Sequence, residues 1–332
     1  MHAPRTRVQR RPVHGVLLLD KPLGLSSNNA LQKCKWLLRA EKAGHTGTLD
    51  PLATGVLPLC FGAATKFSQL QLDADKTYEA TLRLGVKTST ADAEGDVISQ
   101  RPVPAIDAAR LAEITKQFTG PMRQVPPMHS ALKKDGRALY EYARAGEEVD
   151  RQARDVTVWS LELTADGCAP DSLRMIAKVS KGTYIRTLAE DIGEALDCGA
   201  HLTALRRVAT GHFDLSHCVT LPAFEAMTEP QRLDCLKPVD SLLPDHARVT
   251  LDAENAGRFL SGLRRRGDWS DNERIAVFGP RPVRPEPVQG LAASTGSART
   301  ALLGTAHAKG GELIPGRLLS PPEVQQILES EL

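Results

Sequence analysis

The sequence predicts an α+β fold with a mostly antiparallel mixed sheet flanked by helices. Strand patterns occur at residues 15–20, 78–84, 156–163 and 173–179, and amphipathic helices lie between them. Strands and helices do not alternate in a regular βαβ repeat, which disfavours a doubly wound parallel sheet. The chain has 332 residues, of which 41% are hydrophobic. This is enough for one large domain and a smaller one.

The first strand and the first helix are bounded by turn and capping residues. Residues 15–20 (GVLLLD) form a short apolar run that a proline and a glycine then interrupt. Ser26 or Ser27 is placed to cap a helix, because its hydroxyl accepts from the free N–H groups at the helix start. Apolar side chains then recur at helical spacing. The glycines and prolines that follow predict a loop over residues 44–58.

Three later strands and one helix show equally regular patterns. Residues 78–84 alternate between apolar and polar side chains, which predicts a half-buried strand, and residues 156–163 and 173–179 repeat the pattern. Between residues 185 and 196 the apolar side chains fall on one helical face. Gly199 is available to end that helix.

Composition divides the chain into domains, an arm and two inserted segments. Residues 1–12 carry four arginines and no acidic residue, which predicts a basic flexible arm. We expect a main domain over residues 13–248, with a polar segment at about 124–154 projecting from its sheet. A smaller β-rich domain is expected over residues 249–332. Residues 279–300 are rich in Pro, Gly, Ser and Ala, a composition that buries little and predicts a flexible loop.

Several function classes lack their usual signatures. The sequence contains no run of about 18 apolar residues, so it predicts no membrane-spanning helix. The N-terminus does not have the pattern of a secretory signal. The six cysteines include no CxxC pair, and the motifs HExxH, GxxxxGK[ST] and GxGxxG do not occur. Zinc-ribbon, zincin, P-loop and dinucleotide sites are therefore disfavoured. Cysteine usage of this kind predicts a reducing, cytoplasmic environment.

Two polar segments carry residues suited to chemistry. In the loop around Asp50, Pro51 biases the aspartate towards an extended backbone, which can present a lone carboxylate from a rigid turn. An ordinary capping turn would look the same. Arg186 stands at the start of a helix beside its apolar face, where an arginine needs a carboxylate partner. A structural salt bridge or a side chain extending to solvent explains it equally well, and composition does not pair it with Asp50.

At these residues the sequence resembles the TruB-type tRNA pseudouridine synthases. The matches are collinear over roughly residues 13–215, and the fourteen-residue block around Asp50 is highly specific. The matching blocks are KPLGLSSN (21–28), GHTGTLDPLATGVL (44–57), KTYEA (76–80), TADAEG (90–95), QVPPMHSA (124–131), KGTYIRTL (181–188) and LRR (205–207). The blocks LLGT (302–305) and LIPGRLL (313–319) more weakly resemble a PUA domain, a small RNA-binding barrel.

The resemblance implies the pseudouridine synthase fold and an isomerisation without cofactor or metal. One uridine in the T-loop of tRNA, at the position conventionally numbered 55, would lose its N-glycosidic bond and rejoin the ribose through C5. By similarity Asp50 would be the catalytic carboxylate, Arg186 its partner, and Tyr78 the ring that stacks on the target base. The same similarity assigns four binding residues: Leu205 to the uracil pocket, Lys21 and Pro22 to support of the active-site loop, and His45 to the gap left by the flipped nucleotide.

RNA binding would use cations outside the cleft, because phosphate contacts need Lys and Arg. The family uses the inserted segment as a clamp over the T-arm, which assigns Lys133 and Arg137, with Lys134 and Arg144, to RNA. Arg264 to Arg266 and the arginines of the basic arm are further candidates, although charge runs are commonly just solvated surface. We expect a monomer whose partner is the tRNA T-arm, with no membrane and no small-molecule cofactor.

The chemical role of Asp50 stays open at this stage. It could attack the ribose, add to the uracil ring, or remove a ribose proton to give a glycal-like intermediate, towards which we lean. A non-catalytic RNA-binding or tRNA-folding protein on the same scaffold is the main alternative, but a pure binder would need neither Asp50 nor Arg186. A methyltransferase or a zinc deaminase would need a glycine-rich cofactor motif or a zinc-ligand set that the sequence lacks.

Overall fold

The computed structural model describes residues 9–165, 169, 171–280 and 300–330. Two expectations therefore fall largely outside the described residues. They are the basic arm, of which residues 1–8 are not described, and the Pro-rich segment, of which residues 281–299 are not described.

Strands and helices are interspersed along the chain without a regular repeat. Up to residue 124 the strands are β1 (Gly15–Lys21), β2 (Ala43–His45), β3 (Ala53–Phe61), β4 (Lys76–Leu84), β5 (Val86–Thr88), β6 (Val97–Gln100) and β7 (Gly120–Gln124). The later strands are β8 (Lys133–Lys134), β9 (Arg137–Ala138), β10 (Arg154–Ala165), β11 (Ser172–Val179), β12 (Ala200–Thr210), β13 (Phe213–Asp214), β14 (Val219–Thr220), β15 (Ala247–Thr250), β16 (Arg265–Arg266), β17 (Asn272–Gly279), β18 (Ala301–Lys309) and β19 (Glu312–Leu318). The α-helices are α1 (Ser27–Leu37), α2 (Ser68–Leu72), α3 (Ala108–Gln117), α4 (Leu139–Arg144), α5 (Ile185–Ala195), α6 (Leu221–Ala226), α7 (Glu229–Asp234), α8 (Ala253–Leu260) and α9 (Pro321–Ser330).

Within the described part of the chain, ten strands form one mixed sheet. Its order is β14-β1-β3-β12-β4-β11-β10-β7, with β2 beside β3 and β13 beside β12. The β1–β14 and β3–β12 pairs are parallel and the other pairs are antiparallel. A second sheet has the order β15-β17-β18-β19-β16. The predicted α+β class, with a mostly antiparallel sheet and a β-rich C-terminal part, is confirmed.

The predicted loop over residues 44–58 is wrong for most of its length. Residues 53–61 form β3, a largely buried strand that pairs with β1 on one side and with β12 on the other. The prediction was wrong because Gly55 was taken as a turn residue, whereas it allows the backbones of two paired strands to approach closely. It has a φ of +101°, and a Cβ at this position would lie 2.1 Å from the carbonyl oxygen of Arg207. The true loop is the short stretch 46–52, which carries Asp50.

The two faces of the large sheet are covered by different parts of the chain. One face packs against helices, including α1, α5 and α6, and forms the larger core. The other face of β1 and β3, which includes Val16, Leu18 and Val56, shares a single buried cluster with Phe259 of α8 and Val277 of β17. The C-terminal sheet is therefore packed on the back of the large sheet and does not have a fully separate core.

The polar segment at 124–154 leaves the sheet at its edge. Strands β7 and β10 pair in antiparallel register from Gln124 opposite Arg154, so residues 125–153 emerge from the end of this pair. They contain the short hairpin β8–β9 and helix α4. None of the helices in the described ranges has the length and apolar character needed to cross a bilayer.

Candidate active site

A cleft of about 390 Å³ opens on the helix-covered side of the large sheet. Its walls come from the loop 46–52, the start of β4, the second half of β12, residues 179–186 that lead into α5, and residues 130–132 of the inserted segment. The structure brings four of the predicted site residues into this lining: Asp50, Tyr78, Arg186 and Leu205. Residues far apart in sequence thus meet at one place.

Asp50 and Arg186 form an ion pair at the cleft. The Nη2 atom of Arg186 lies 2.9 Å from Oδ2 of Asp50, and the Arg186 side chain is 7% exposed whereas that of Asp50 is 40% exposed. Arg186 also donates to the carbonyl oxygens of His129 (2.7 Å) and Thr90 (3.2 Å). Because several acceptors hold the guanidinium, its position is fixed, and it orients the more exposed carboxylate of Asp50 towards the cleft.

A second carboxylate, Asp92, shares the same guanidinium. Its Oδ2 lies 3.6 Å from Nη1 of Arg186, and its side chain is 4% exposed. The N–H of Glu94 donates to the other oxygen, Oδ1 of Asp92, at 3.0 Å, and the hydroxyl of Thr90 also donates to Oδ1. The sequence reasoning assigned no role to Asp92, although its block formed part of the family resemblance. Only the fold shows that Asp92 and Asp50 are both within ion-pair distance of Arg186.

Burial raises the pKa of Asp50 above the ordinary range for aspartate. The Arg186 guanidinium lowers it, the negative charge of Asp92 raises it again, and Lys21 has a smaller lowering effect. Although part of the side chain is accessible from the cleft, the surrounding atoms leave its carboxyl poorly hydrated. The ion pair alone would have lowered the pKa, so burial is the stronger influence. A carboxylate with raised proton affinity is a stronger base than an ordinary aspartate.

Tyr78 and Leu205 provide an apolar surface next to the ion pair. Tyr78 on β4 is 9% exposed and Leu205 on β12 is 8% exposed, and both belong to the large core. Tyr184, which the sequence reasoning did not single out, also lines the cleft. Its N–H donates to Oε1 of Gln124 at 2.7 Å, which ties the base of the inserted segment to the start of α5. Aromatic and aliphatic side chains of this kind can hold a flat base.

Lys21, Pro22 and His45 lie outside the cleft lining. Lys21 is fully buried, and its Nζ donates to the carbonyl oxygens of Pro22 (2.8 Å) and Leu25 (2.5 Å). Burial lowers the pKa of Lys21 to about 8, although Asp50 acts to raise it. His45 on β2 is half-buried, and its Nδ1 has no hydrogen-bond partner among the described residues. Burial lowers the pKa of His45. The roles predicted for these three residues stay predictions.

Two buried cations in the lining were missed by the sequence reasoning. Arg207 is 1% exposed, and its Nε donates to the carbonyl oxygen of Val56 at 2.7 Å. Lys76 is 8% exposed, and its Nζ donates to the carbonyl oxygens of Leu72, at 2.7 Å, and Ala74. Both side chains line the cleft. Basic residues in a strand pattern are usually exposed, so the sequence offered no signal that these two are buried.

Of the residues predicted for the RNA clamp, Lys133, Lys134 and Arg137 lie in the hairpin β8–β9, and Arg144 is the last residue of α4. Lys133 is exposed. Arg137 pairs with Glu147 at 3.2 Å and more loosely with Glu141 at 3.8 Å, and its guanidinium carbon lies 4.4 Å from the centre of the Tyr142 ring. The RNA role of both residues stays a prediction. Across the described ranges, no group of three or more His, Cys, Asp or Glu side chains is arranged to hold a metal ion.

Comparisons with known proteins match nearly the whole chain. The family models "TruB family pseudouridylate synthase (N terminal domain)" and "tRNA pseudouridylate synthase B C-terminal domain" match residues 35–185 and 186–244. Proteins named tRNA pseudouridine synthase B from Verminephrobacter eiseniae (strain EF01-2) and Ralstonia nicotianae (strain ATCC BAA-1114 / GMI1000) are 60% and 56% identical. These matches cover 99% and 93% of this chain and 96% and 95% of the relatives.

Two solved structures share the fold. A crystal structure of a Cbf5-Nop10-Gar1 complex superposes with a TM-score of 0.61 at 24% identity, covering 95% of this chain and 81% of that one. A structure of an H/ACA RNP bound to a substrate RNA containing 2′-deoxyuridine gives a TM-score of 0.64 at 21% identity, covering 95% and 88%. At these identities the likeness concerns the fold alone.

Proposed function

Because this chain belongs to the TruB family of pseudouridylate synthases, we propose that it isomerises uridine to pseudouridine in the T-loop of tRNA, at the position conventionally numbered 55. The observation that carries the proposal is the ion pair of Asp50 and Arg186 in a cleft lined by Tyr78 and Leu205. A protein that only bound RNA would have no use for a poorly hydrated, oriented carboxylate at this place. The names of the relatives supply the substrate class, tRNA.

In this reaction Asp50 acts as a base towards the ribose. The N1–C1′ bond breaks as Asp50 takes a proton from C2′, which leaves a glycal-like sugar and a uracil anion. The uracil turns within the cleft, C5 bonds to C1′, and Asp50 returns its proton to C2′. The hydrogen on C5 is lost and N1 gains one, so atoms and electrons balance. The raised pKa of Asp50 strengthens it as a base in this role.

The surrounding parts of the molecule would position the RNA. The target nucleotide must leave its stack to reach the cleft, and His45 would fill the gap. Lys133 and Arg137 would close over the T-arm with the inserted segment. The C-terminal sheet, which neither family model covers, would act as a PUA-like RNA-binding unit over residues 249–332. We propose a monomer acting in the cytoplasm.

The test measures isomerisation directly. Purified protein is incubated with a tRNA transcript labelled with tritium at C5 of uridine, because this hydrogen is released only when C5 bonds to the ribose. We expect one equivalent of tritium per tRNA, and the same from an isolated T-arm stem-loop. A transcript with cytidine at the target position serves as the control. Specific RNA binding without tritium release would instead favour the non-catalytic alternative.

A further inference from the structure

The cations in and beside the cleft are not all held in ion pairs. Asp50 and Asp92 pair with Arg186, whereas the charges of Asp73 and Asp75 act on Lys76 only from beyond ion-pair distance. Among the described residues, no carboxylate lies within ion-pair distance of Lys76 or Arg207. A buried charge without a counter-charge is unfavourable, so an anion entering the cleft would be stabilised there.

Arg207, which lines the cleft, has one unsatisfied guanidinium nitrogen. Its Nη2 atom is buried and has no hydrogen-bond partner in the described part of the protein. The Nε of the same side chain is held by the Val56 carbonyl, so the guanidinium cannot easily turn to find another acceptor. An unsatisfied buried donor is costly, and a ligand oxygen in the cleft would satisfy it. An arginine held in this way is suited to a phosphate, which its planar donors can contact pairwise.

Lys76 adds a second cation with a donor to spare. Two carbonyl oxygens accept from its Nζ, and an ammonium group has three N–H donors. Burial and, next, the nearby charge of Arg207 lower the pKa of Lys76 to about 8, although Asp73 and Asp75 act to raise it. The two cations therefore lie close enough to repel each other. One anion between them would relieve this repulsion.

The strand register places both cations next to the ring of Tyr78. Arg207 on β12 is directly opposite Tyr78 on β4, so the two side chains share one face of the sheet. Lys76 precedes Tyr78 by two residues on β4 and therefore points to the same face, about 7 Å along the strand. A base lying on Tyr78 would have its own phosphate one ribose away, a separation similar to that between Tyr78 and Lys76 along the strand.

We propose that Lys76 and Arg207 form a binding site for the phosphodiester that flanks the uridine undergoing isomerisation. This inference rests on the proposed function, because it takes the base at Tyr78 to be that uridine. The site would hold the backbone of the flipped nucleotide while Asp50 acts on its ribose. The phosphate would supply the close counter-charge that Lys76 and Arg207 lack among the described residues.

The experiment removes charge from the RNA, which leaves the protein untouched. T-arm stem-loops are made with a neutral methylphosphonate at one linkage at a time, and binding and single-turnover tritium release are measured. For one of the two linkages flanking the target uridine, we expect binding to wild type to weaken by about tenfold. In Lys76→Met, the same methylphosphonate should weaken binding clearly less than in wild type, because only Arg207 still contacts the phosphate, and the slope of log affinity against log salt should fall by about 0.7.

The control variant is Lys33→Met, which removes an exposed lysine on α1 that pairs with Glu225. This variant should keep the full sensitivity to the methylphosphonate. If neutralising each linkage in turn weakened binding equally in wild type and in Lys76→Met, the proposed phosphate site would be wrong. A second outcome would also contradict the proposal. If inorganic phosphate competed with RNA more strongly than chloride does at equal ionic strength, and no single linkage were sensitive to neutralisation, the site would bind a free anion and not the RNA backbone. A failure of the proposed function looks different, because wild type would then release no tritium from unmodified RNA.

Discussion

Two cations of the cleft are buried and have no carboxylate partner among the described residues, whereas two arginines of the C-terminal sheet are exposed and form ion pairs. Lys76 and Arg207 are 8% and 1% exposed and have no ion-pair partner in the described structure. Arg264 and Arg266 beside the C-terminal sheet have side chains that are 65% and 88% exposed, and both pair with Glu312. Buried charges need a specific counter-charge, whereas exposed ion pairs contribute little. The cleft is therefore built around a ligand, and the C-terminal arginines are a surface.

The two regions also differ in what holds them in place. The cleft depends on a polar network in which Arg186 connects Asp50, Asp92 and two backbone carbonyls. At the C-terminal sheet, apolar packing of Phe259 and Val277 against the back of β1 and β3 is joined by polar contacts, such as that of Lys66 with the Leu318 carbonyl at 3.1 Å. Polar changes at the cleft should therefore alter chemistry, and apolar changes at the junction should alter stability.

The largest expected effect is that of Asp50→Asn on the chemical step. Loss of the base should lower the single-turnover rate by about 10²–10⁴-fold or more, with RNA binding retained. The folded-state pKa of Asp50 lies above its unfolded value, so ionisation of this group opposes folding, and the opposition is absent below the unfolded pKa. The asparagine variant should therefore be at least as stable as wild type at pH 7, and this difference should vanish in acid.

Kinetics against pH provide the check on this prediction. The wild-type rate should rise as the pH passes the raised pKa of Asp50, because the ionised form is the active one. A near wild-type rate of tritium release by Asp50→Asn would make the catalytic assignment wrong. Arg186→Lys is the comparison variant, since it keeps the charge but loses the fork of donors that holds both aspartates.

At the junction the expected loss is in stability. Phe259 is fully buried in the shared core, so Phe259→Ala should lower the free energy of unfolding by about 3–5 kcal/mol. Single-turnover chemistry at saturating RNA should persist below the unfolding temperature. Chemical denaturation measures the first effect, and Trp36→Ala, at a side chain that is 63% exposed, is the control that should change little. A loss of chemistry in folded Phe259→Ala would show that the two regions are coupled.

A smaller effect follows from Lys76, whose charge opposes folding. Its pKa falls from 10.5 when unfolded to about 8 when folded, mainly through burial. The charged lysine therefore costs about 3 kcal/mol below pH 8, and this cost disappears as the pH rises from 8 to 10.5. Lys76→Met removes the cost but leaves two carbonyls without their donor, at about 1 kcal/mol each. We expect a net gain of about 1 kcal/mol at pH 7.

The measurement is the difference in unfolding free energy between wild type and Lys76→Met across that pH range. The advantage of the variant should shrink between pH 8 and 10.5 and turn into a deficit at higher pH. Saturating RNA should reverse the order at pH 7, because the bound phosphate stabilises the charged lysine. A pH-independent difference would mean that Lys76 is not titrating in this window.

The sequence predicted the strands and helices well where the spacing of apolar residues alone identifies the element. Strands β1, β4, β10 and β11 and helices α1 and α5 follow their patterns, and Ser26 caps α1 as one of the two expected residues. Strand β3 was missed because a glycine needed for a close strand approach resembles a glycine needed for a turn. Local patterns do not distinguish these two uses, which depend on what the strand packs against.

The site was predicted in part for a similar reason. Asp50, Tyr78, Arg186 and Leu205 belong to specific blocks, and the fold brings them together. Arg206 and Arg207 show what the sequence could not separate. As neighbours on a strand they face opposite sides of the sheet. Arg206 pairs with Asp20 at 2.8 Å, whereas Arg207 is buried without a carboxylate in the described residues. Only the register of β12 against β4 decides which arginine lies in the cleft.

The smallest expected effect concerns Glu312, which holds the exposed arginines of the C-terminal sheet. Its carboxylate accepts from Arg266 at 3.1 Å and from Arg264 at 3.4 Å, and these contacts lower the pKa of Glu312. Exposed pairs of this kind contribute little to folding, so Glu312→Gln should leave the unfolding midpoint nearly unchanged at neutral pH. The two arginines, once released, become available to phosphates. RNA affinity should therefore rise slightly, and its dependence on salt should steepen by up to about 0.9 per added contact with a duplex.

Titration of tRNA at several salt concentrations measures both quantities, with Glu254→Gln, which releases Arg258 on α8, as the matched control. An unchanged slope in Glu312→Gln would mean that Arg264 and Arg266 do not contact RNA, and the comparison would then reduce to a binding cleft and a purely structural sheet.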